Sequence, residues 1–303
     1  MRRVLSYSLN NQLGFMVVAI GVGTELAING AVAHAFAHII YKGLLFMSMG
    51  AVLYRVGTVK ASELGGLYRM MPLTCIFCII GAMSISAFPL FSGFAAKSLI
   101  MSSLGYEGLV YAYLILLAAS AGVLHHSGIK IPYFAFFGHD GGHQVKEAPL
   151  GMIVAMGVAG LLCILIGVFP SLFYSILPYQ LDYNPYDAGH VLAQLQLLIF
   201  SILAFAFLMT FKIYPPELRS TVLNSDWFYR RMFPAFGWPL FGVVVSGWEN
   251  FLRQMRDIVN SAWDMIDKIM HSSWAGPTVS GRAVLIQAVL LSSLLLVAYV
   301  AAG

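Results

Sequence analysis

The sequence predicts an all-α, polytopic transmembrane helix bundle, and three observations carry that reading. Of its 303 residues, 59% are hydrophobic and only 10% charged, with a mean hydropathy of +0.81. A soluble domain carries about a quarter charged residues, so lipid must solvate part of this apolar surface. A helix crossing a bilayer needs roughly 17–25 mostly apolar residues, and such runs recur at 4–23, 28–54, 70–87, 107–136, 149–175, 191–213 and 281–301. The connections between them are short and glycine-punctuated, as in Leu64-Gly65-Gly66-Leu67 and the stretch from Phe137 to His143.

Taken in order, residues 1–214 read as the transmembrane bundle. Within it, Ser86-Ala87-Phe88-Pro89-Leu90-Phe91-Ser92-Gly93 puts proline and glycine at membrane depth. Irregular backbone is tolerated there only when buried in protein or lining a wet cavity. The spacing therefore predicts a broken helix around residues 88–104, an arrangement that builds ion sites in transporters. Residues 215–280 change character, opening after Tyr214 with Pro215-Pro216 and holding most charges of the C-terminal third. From 249 to 270, Leu252, Met255, Val259, Ala262, Ile266 and Ile269 recur at helical spacing, while Arg253, Arg256, Asp257, Asp264 and Lys268 mostly fill the other face. This is an amphipathic helix for the membrane interface or a partner subunit. Residues 281–303 form a C-terminal transmembrane helix. Lys and Arg fall on both sides of the spans, so the positive-inside rule fixes no orientation.

The informative residues are ionisable groups inside apolar helices. His34, His38 and Lys42 stand at i, i+4 and i+8, hence on one helix face with steps of about 6 Å. A charge near the bilayer centre costs about 2.5–3.5 kcal/mol on insertion scales, so three such groups should face the bundle interior and a wet path. Imidazole both donates and accepts a proton near neutral pH, and a desolvated lysine changes charge more readily than one in water. The pattern suits a proton relay bridged by water. Lys97 follows the proline/glycine break and can be held by its free carbonyls. His126 and Lys130 share a face four residues apart, with His125 beside them; they continue the polar line, form its exit to water, or sit at the interface. Glu25 and Glu107 lie at span ends and read as solvated caps.

Other chemistries find little support. The formal net charge of +4 comes without a basic run or aromatic-basic interleaving, so no nucleic-acid partner is expected. Cys75 and Cys78 match C-x-x-C formally, but no second pair or nearby histidine completes a site. His139, Asp140 and His143 flank glycines and read as solvated loop residues. No nucleophile elbow, P-loop, dinucleotide turn, haem or iron–sulfur spacing appears, so neither a cofactor nor catalytic chemistry is expected in this chain.

Taken together, these segments resemble the antiporter-like membrane subunits shared by Mrp-type cation/proton antiporters, complex I and membrane-bound hydrogenases. The segment Arg2-Arg3-Val4-Leu5-Ser6-Tyr7-Ser8, followed by Asn11-Gln12-Leu13-Gly14, is similar to a family signature in which lysine often stands where Arg2 does. The His34, His38, Lys42, Leu44-Leu45-Phe46 pattern resembles the family's central relay helix, and Ser86 through Gly93 with Lys97 its second broken helix. Pro132-Tyr133-Phe134-Ala135-Phe136-Phe137 and Tyr214-Pro215-Pro216-Glu217-Leu218-Arg219 look closest to the D-type component of Mrp-like antiporters.

The resemblance implies a multi-pass subunit of a bacterial inner membrane. It implies protons, coupled to Na+ or another monovalent cation, moving along His34, His38, Lys42, Lys97, His126 and Lys130 with other membrane subunits as partners. A proton-pumping subunit of a complex I-like or hydrogenase assembly is the alternative. Members of the family have two inverted repeats of five helices, and the chain opens where the second would begin. The Glu–Lys pair of the first repeat has no matching positions here: either a separate chain supplies that half or this is a shortened piece.

Overall fold

A computed structural model describes residues 1–214, 225–271 and 279–302. Every long element among them is helical. They are α1 (Arg2–Val22), α2 (Glu25–Val56), α3 (Pro72–Ile85), α4 (Ser92–Tyr106), α5 (Val110–Phe137), α6 (Leu150–Val168), the short α7 (Pro170–Tyr174), α8 (Ala188–Thr210), α9 (Trp238–His271) and α10 (Val279–Ala302). The chain divides into two compact units, Met1–Arg219 and Ser220–Gly303.

In the first unit α2 is the central post, with α1, α3, α4 and α6 packed around it. Its ends are set locally. Gly23, at φ +78°, turns the chain out of α1, and the Thr24 side chain then accepts from Ala27 N at 3.3 Å as the N-cap of α2. Exposed Glu25 occupies the first turn, where a carboxylate favours the helix dipole. Gly57, at φ +82°, ends the helix after 32 residues. Close approach to α4 needs a small residue: a Cβ on Gly30 would fall 2.9–3.2 Å from Ile100 and Leu99.

Two sets of contacts define the ends of this bundle. Near the start of α2, the Asn29 side chain donates to Tyr179 O (2.9 Å) and accepts from Tyr179 N (3.1 Å). In the last turn of α2, Arg55 Nε donates to Glu147 O (2.9 Å), and beyond its end Tyr68 N donates to Phe136 O (3.3 Å). The Glu147 carboxylate also caps α3, accepting from Leu73 N and from Thr74 Oγ1. The late part of α5 therefore stands at the end opposite the Asn29–Tyr179 clasp.

The expected break takes the form of two half-helices: α3 stops at Ile85 and α4 starts at Ser92, with no regular helix between. Both flanks are short and regular, so 92–104 is helical and the irregular backbone is confined to 86–91. Ala87 and Leu90 adopt positive φ (56° and 74°), unusual for residues with a Cβ. The liberated backbone groups find partners. Ile85 O accepts from Lys97 Nζ at 3.0 Å, Ser86 O from Gln194 Nε2 at 3.2 Å, and Leu90 N donates to Tyr186 OH at 3.2 Å. Gly93 is needed because any Cβ there would meet Ser84 O at 1.8 Å.

Among the described residues, four helices are long and apolar enough to cross a membrane: α2, α5, α6 and α8. The seven apolar runs resolve differently for physical reasons. The helix over 4–23 carries Asn10, Asn11 and Gln12, which lower its hydropathy, and 70–87 yields only the 14-residue α3. The 149–175 run is cut at Phe169, because Pro170 begins a new helix, α7. The 281–301 run lies within the 24-residue α10. Within α5, Leu124–Ile129 and Tyr133–Phe137 are π-wound around Lys130–Pro132. Pro132 has no N–H to give the regular bond to Gly128, which favours such local rewinding.

In the second unit the amphipathic helix starts earlier than the 249–270 pattern predicts, extending over Trp238–His271 behind a π-wound turn, Phe228–Gly237. Leu252, Met255 and Val259 are solvent-exposed on it, and Arg253 pairs with Glu249 at 3.8 Å. Residues 215–219 of the segment that opens at Tyr214 lie outside the described residues.

Candidate functional site

The face of α2 bearing His34, His38 and Lys42 turns inward onto α1. His34 is 0% exposed, His38 8% and Lys42 3%; Lys97 on α4 is 4% exposed. All four are thus enclosed by protein. The two imidazoles lie nearly parallel (13°) with centroids 6.2 Å apart, one helical turn. Tyr41 closes the side of the row, its ring centroid 5.4 Å from that of His38 and 6.4 Å from that of His34.

Two polar residues of α1 meet this row, again four apart. Gln12 Oε1 accepts from Tyr41 OH at 2.9 Å and lies 3.1 Å from His34 Nε2. Lys42 Nζ donates to Ser8 Oγ. With Gln12 Oε1 as acceptor, the proton of neutral His34 sits on Nε2 and its Nδ1 is left as an acceptor, an assignment drawn from hydrogen-bond geometry. His34 Nδ1 and His38 Nε2 are both buried without a protein hydrogen-bond partner. A stranded buried polar atom costs about 1–3 kcal/mol, and ordered water is the usual remedy.

Lys97 joins the row from the break. Its ammonium rests on Ile85 O, at the carbonyl-rich C-terminal end of α3, where the helix dipole favours a cation. It also lies 4.9 Å from the centre of the Phe15 ring, which is 5.8 Å from the His34 ring. Lys97 interacts electrostatically with both His34 and His38. Beside it lies a cavity of about 40 Å³ lined by Phe15, Lys97, Ser98, Ser120, His190 and Gln194. One water needs about 10–15 Å³ of this kind of space, so the cavity can hold a short water chain.

The third set is placed less deeply. His126 interacts electrostatically with Lys42, and its Nδ1 lies 2.5 Å from Gly122 O. Lys130 Nζ sits 5.8 Å from the Phe134 ring centre and 5.6 Å from that of Tyr214. His125 packs its ring on Phe205 and Tyr214. All three are half-buried. The structure thus joins His34, His38, Lys42 and Lys97 in one enclosed group and leaves His126 and Lys130 half-buried on α5.

Sequence reasoning passes over Ser8, Gln12, Tyr41 and His190. Ser8 and Gln12 stand at i, i+4 and so share a face, but Ser6, Asn10 and Asn11 in the same helix hide that signal. His190 stands three residues into α8 behind Asp187, which caps the helix through Gly189 N (3.0 Å), and so looks like an interfacial group. Its Nε2 lies 3.4 Å from Ser102 Oγ, which in turn lies 2.8 Å from Tyr183 OH. Burial raises the Tyr183 phenol above its ordinary value, keeping it a neutral hydroxyl. The remaining candidates are structural: Asp140 Oδ1 accepts from Gly142 N and His143 Nε2 contacts Glu63 O, while Cys75, Cys78 and Cys163 are buried free thiols. Glu107 is exposed at the end of α4.

Residues 1–124 match the family profile described as "NADH:quinone oxidoreductase/Mrp antiporter, TM". Hydrogenase-4 component B of Escherichia coli is 30% identical over 193 residues, covering 56% of this chain and 29% of that protein. Component D of the Na(+)/H(+) antiporter of Alkalihalophilus pseudofirmus is 36% identical over 139 residues, covering 45% and 28%. Component A from the same organism is 28% identical over 207 residues, covering 58% and 26%. The chain therefore spans less than a third of the length of these curated relatives. Among solved structures, a membrane-bound sulfane sulfur reductase, an archaeal respiratory membrane complex, has a similar fold (TM-score 0.53, 22% identity, 93% of this chain and 50% of that one). So does the Mrp complex from Dietzia sp. (TM-score 0.50, 20% identity, 54% and 39%).

Proposed function

We propose that the chain, whose residues 1–124 match the profile described as "NADH:quinone oxidoreductase/Mrp antiporter, TM", is part of a multi-subunit monovalent cation (Na+)/proton antiporter. Protons pass along a hydrated line of His34, His38, Lys42 and Lys97, with His126 and Lys130 extending it toward the late end of α5. The observation that carries this reading is the enclosure of two imidazoles and two amines in one group, with two ring nitrogens lacking a protein partner. Ionisable groups inside a membrane bundle are expensive and persist where charge must travel.

In mechanism, the ammonium of Lys97 releases a proton into the adjacent cavity water when its positive charge is disfavoured, and takes one back from the His34 side. The neutral tautomers of His34 and His38 pass a proton by accepting at one ring nitrogen and releasing at the other. Lys42, on Ser8 Oγ, sets whether His38 hands its proton onward, because two adjacent cations repel. The assembly belongs in a bacterial inner membrane with further membrane subunits, and the exposed apolar face of α9 is the contact offered to them. Reconstituted in vesicles, the intact assembly should lose pH-gradient activity with Lys42→Ala or Lys97→Ala; full activity in both would overturn the relay.

A second reading has a specific basis: similarity to hydrogenase-4 component B and to NADH-ubiquinone oxidoreductase chain 5 is as extensive as that to the antiporter components. In it the same line pumps protons while partner proteins do the redox chemistry. Affinity capture of the native assembly separates the two. Co-purifying iron–sulfur or flavin proteins favour the pump, and small membrane proteins without redox centres favour the antiporter.

A further inference from the structure

The relay needs a way out to water at each end, and the bundle's geometry singles out a route at the α2 N-terminal end that the proposed line does not include. The cavity of about 40 Å³ beside Lys97 and a surface depression of about 520 Å³ share three lining residues: Met101, Tyr113 and His190. The depression is further lined by Ser102, Gly105 and Tyr106, at the C-terminal end of α4. Of the three shared residues, only His190 has a side chain that exchanges protons near neutral pH. It is half-buried, held edge-on to the Tyr183 ring (89°, 6.5 Å), with Nε2 facing Ser102 Oγ at 3.4 Å. An imidazole thus stands at the partition between the space beside Lys97 and the outside.

The position is opposite to that of Lys130. α4's Leu99 and Ile100 pack on Gly30 near the start of α2. The Asn29–Tyr179 clasp is at the same end, and the late part of α5 meets the chain beyond the end of α2. We propose that His190 is the proton outlet of the relay at this end, exchanging protons between Lys97 and bulk water. The inference rests on the relay reading and adds to it a residue and a direction for one terminus. In each transfer, a proton leaves the Lys97 ammonium through cavity water to one nitrogen of neutral His190. A second proton leaves the other nitrogen to the depression, and tautomer exchange resets the ring. No bond other than N–H and O–H changes and no co-reactant is needed. The titratable groups around His190 are Lys97 on α4 and Tyr113 on α5, which line the same cavity, Tyr183 in the preceding loop and Asp187 at the N-cap of its own helix. Ser102 positions the ring.

The test uses the full assembly in vesicles. His190→Ala should slow pH-gradient activity by about a hundredfold, the scale of a lost proton-transfer group, and free imidazole, which fits the depression, should restore much of it. Lys97→Ala should be slow and unrescued. If His190→Ala runs at the parent rate while Lys97→Ala is silent, the outlet is overturned and the relay stands; if both run at the parent rate, the relay itself falls. A slow His190→Ala assembly that imidazole does not rescue also overturns the outlet, since a merely structural histidine gives that result. Met101→Cys, which leaves His190 in place, supplies a check that does not depend on that variant folding. A thiol there should react with a membrane-impermeant maleimide from one side only, against the buried Cys75, Cys78 and Cys163. Complete protection would close the route.

Discussion

Two stretches of this molecule carry the same local code and end in different surroundings. His38 and Lys42 on α2 and His126 and Lys130 on α5 are each a histidine followed four residues later by a lysine. The first pair is enclosed by protein, with Lys42 on Ser8 Oγ and a neighbouring imidazole 6.2 Å from His38. The second is half-buried on a π-wound helix, its histidine against a backbone carbonyl of its own turn and its lysine over two aromatic faces. The i, i+4 spacing sets only a shared face. What surrounds that face sets the chemistry, because a lysine that can reach water keeps its charge at little cost, whereas an enclosed one must be paired, hydrated or neutralised.

The sharpest way to break this contrast is to remove one lysine at a time. Lys42→Ala should lower pH-gradient activity by about a hundredfold or more, while Lys130→Ala should lower it only a few-fold, measured by fluorescence quenching in vesicles. Equal losses would mean that spacing, not enclosure, marks the working residues. Next in size is Gln12→Ala, which strands His34 Nε2 and Tyr41 OH together. It should destabilise the solubilised assembly by about 1–3 kcal/mol for each group left unpaired, read as a lower thermal midpoint; an unchanged midpoint would show that Gln12 does not organise the row. Thr24→Ala removes the α2 N-cap (Ala27 N to Thr24 Oγ1) and should cost about 1 kcal/mol while leaving transport intact. Smallest of all is Lys130→Gln, for which the thermal midpoint should not move; a clear drop would place Lys130 among the structural contacts of α5.

The second unit makes the same point from outside. Charges on α9 recur at helical spacing as regularly as those on α2, yet Glu249 and Arg253 meet at 3.8 Å in the open. Such exposed pairs contribute little. A pattern of charges in a strongly amphipathic helix marks a solvated face; the same residues in a helix apolar all round mark an interior one.

By itself the sequence determined the helical bundle, because apolar composition and run length leave the backbone no other way to satisfy its hydrogen bonds in lipid. It also determined where the broken helix falls and that His34, His38 and Lys42 share a face, both consequences of local chemistry: proline and glycine at one place, a 3.6-residue period at another. Only the tertiary structure decided which polar residues meet that face. Gln12 and Ser8 come from another helix, the Lys97 ammonium finds Ile85 O across the break, and His190 arrives at the same cavity from 93 positions further along the chain. Contacts between elements remote in sequence depend on how helices pack, and neither composition nor period carries that information.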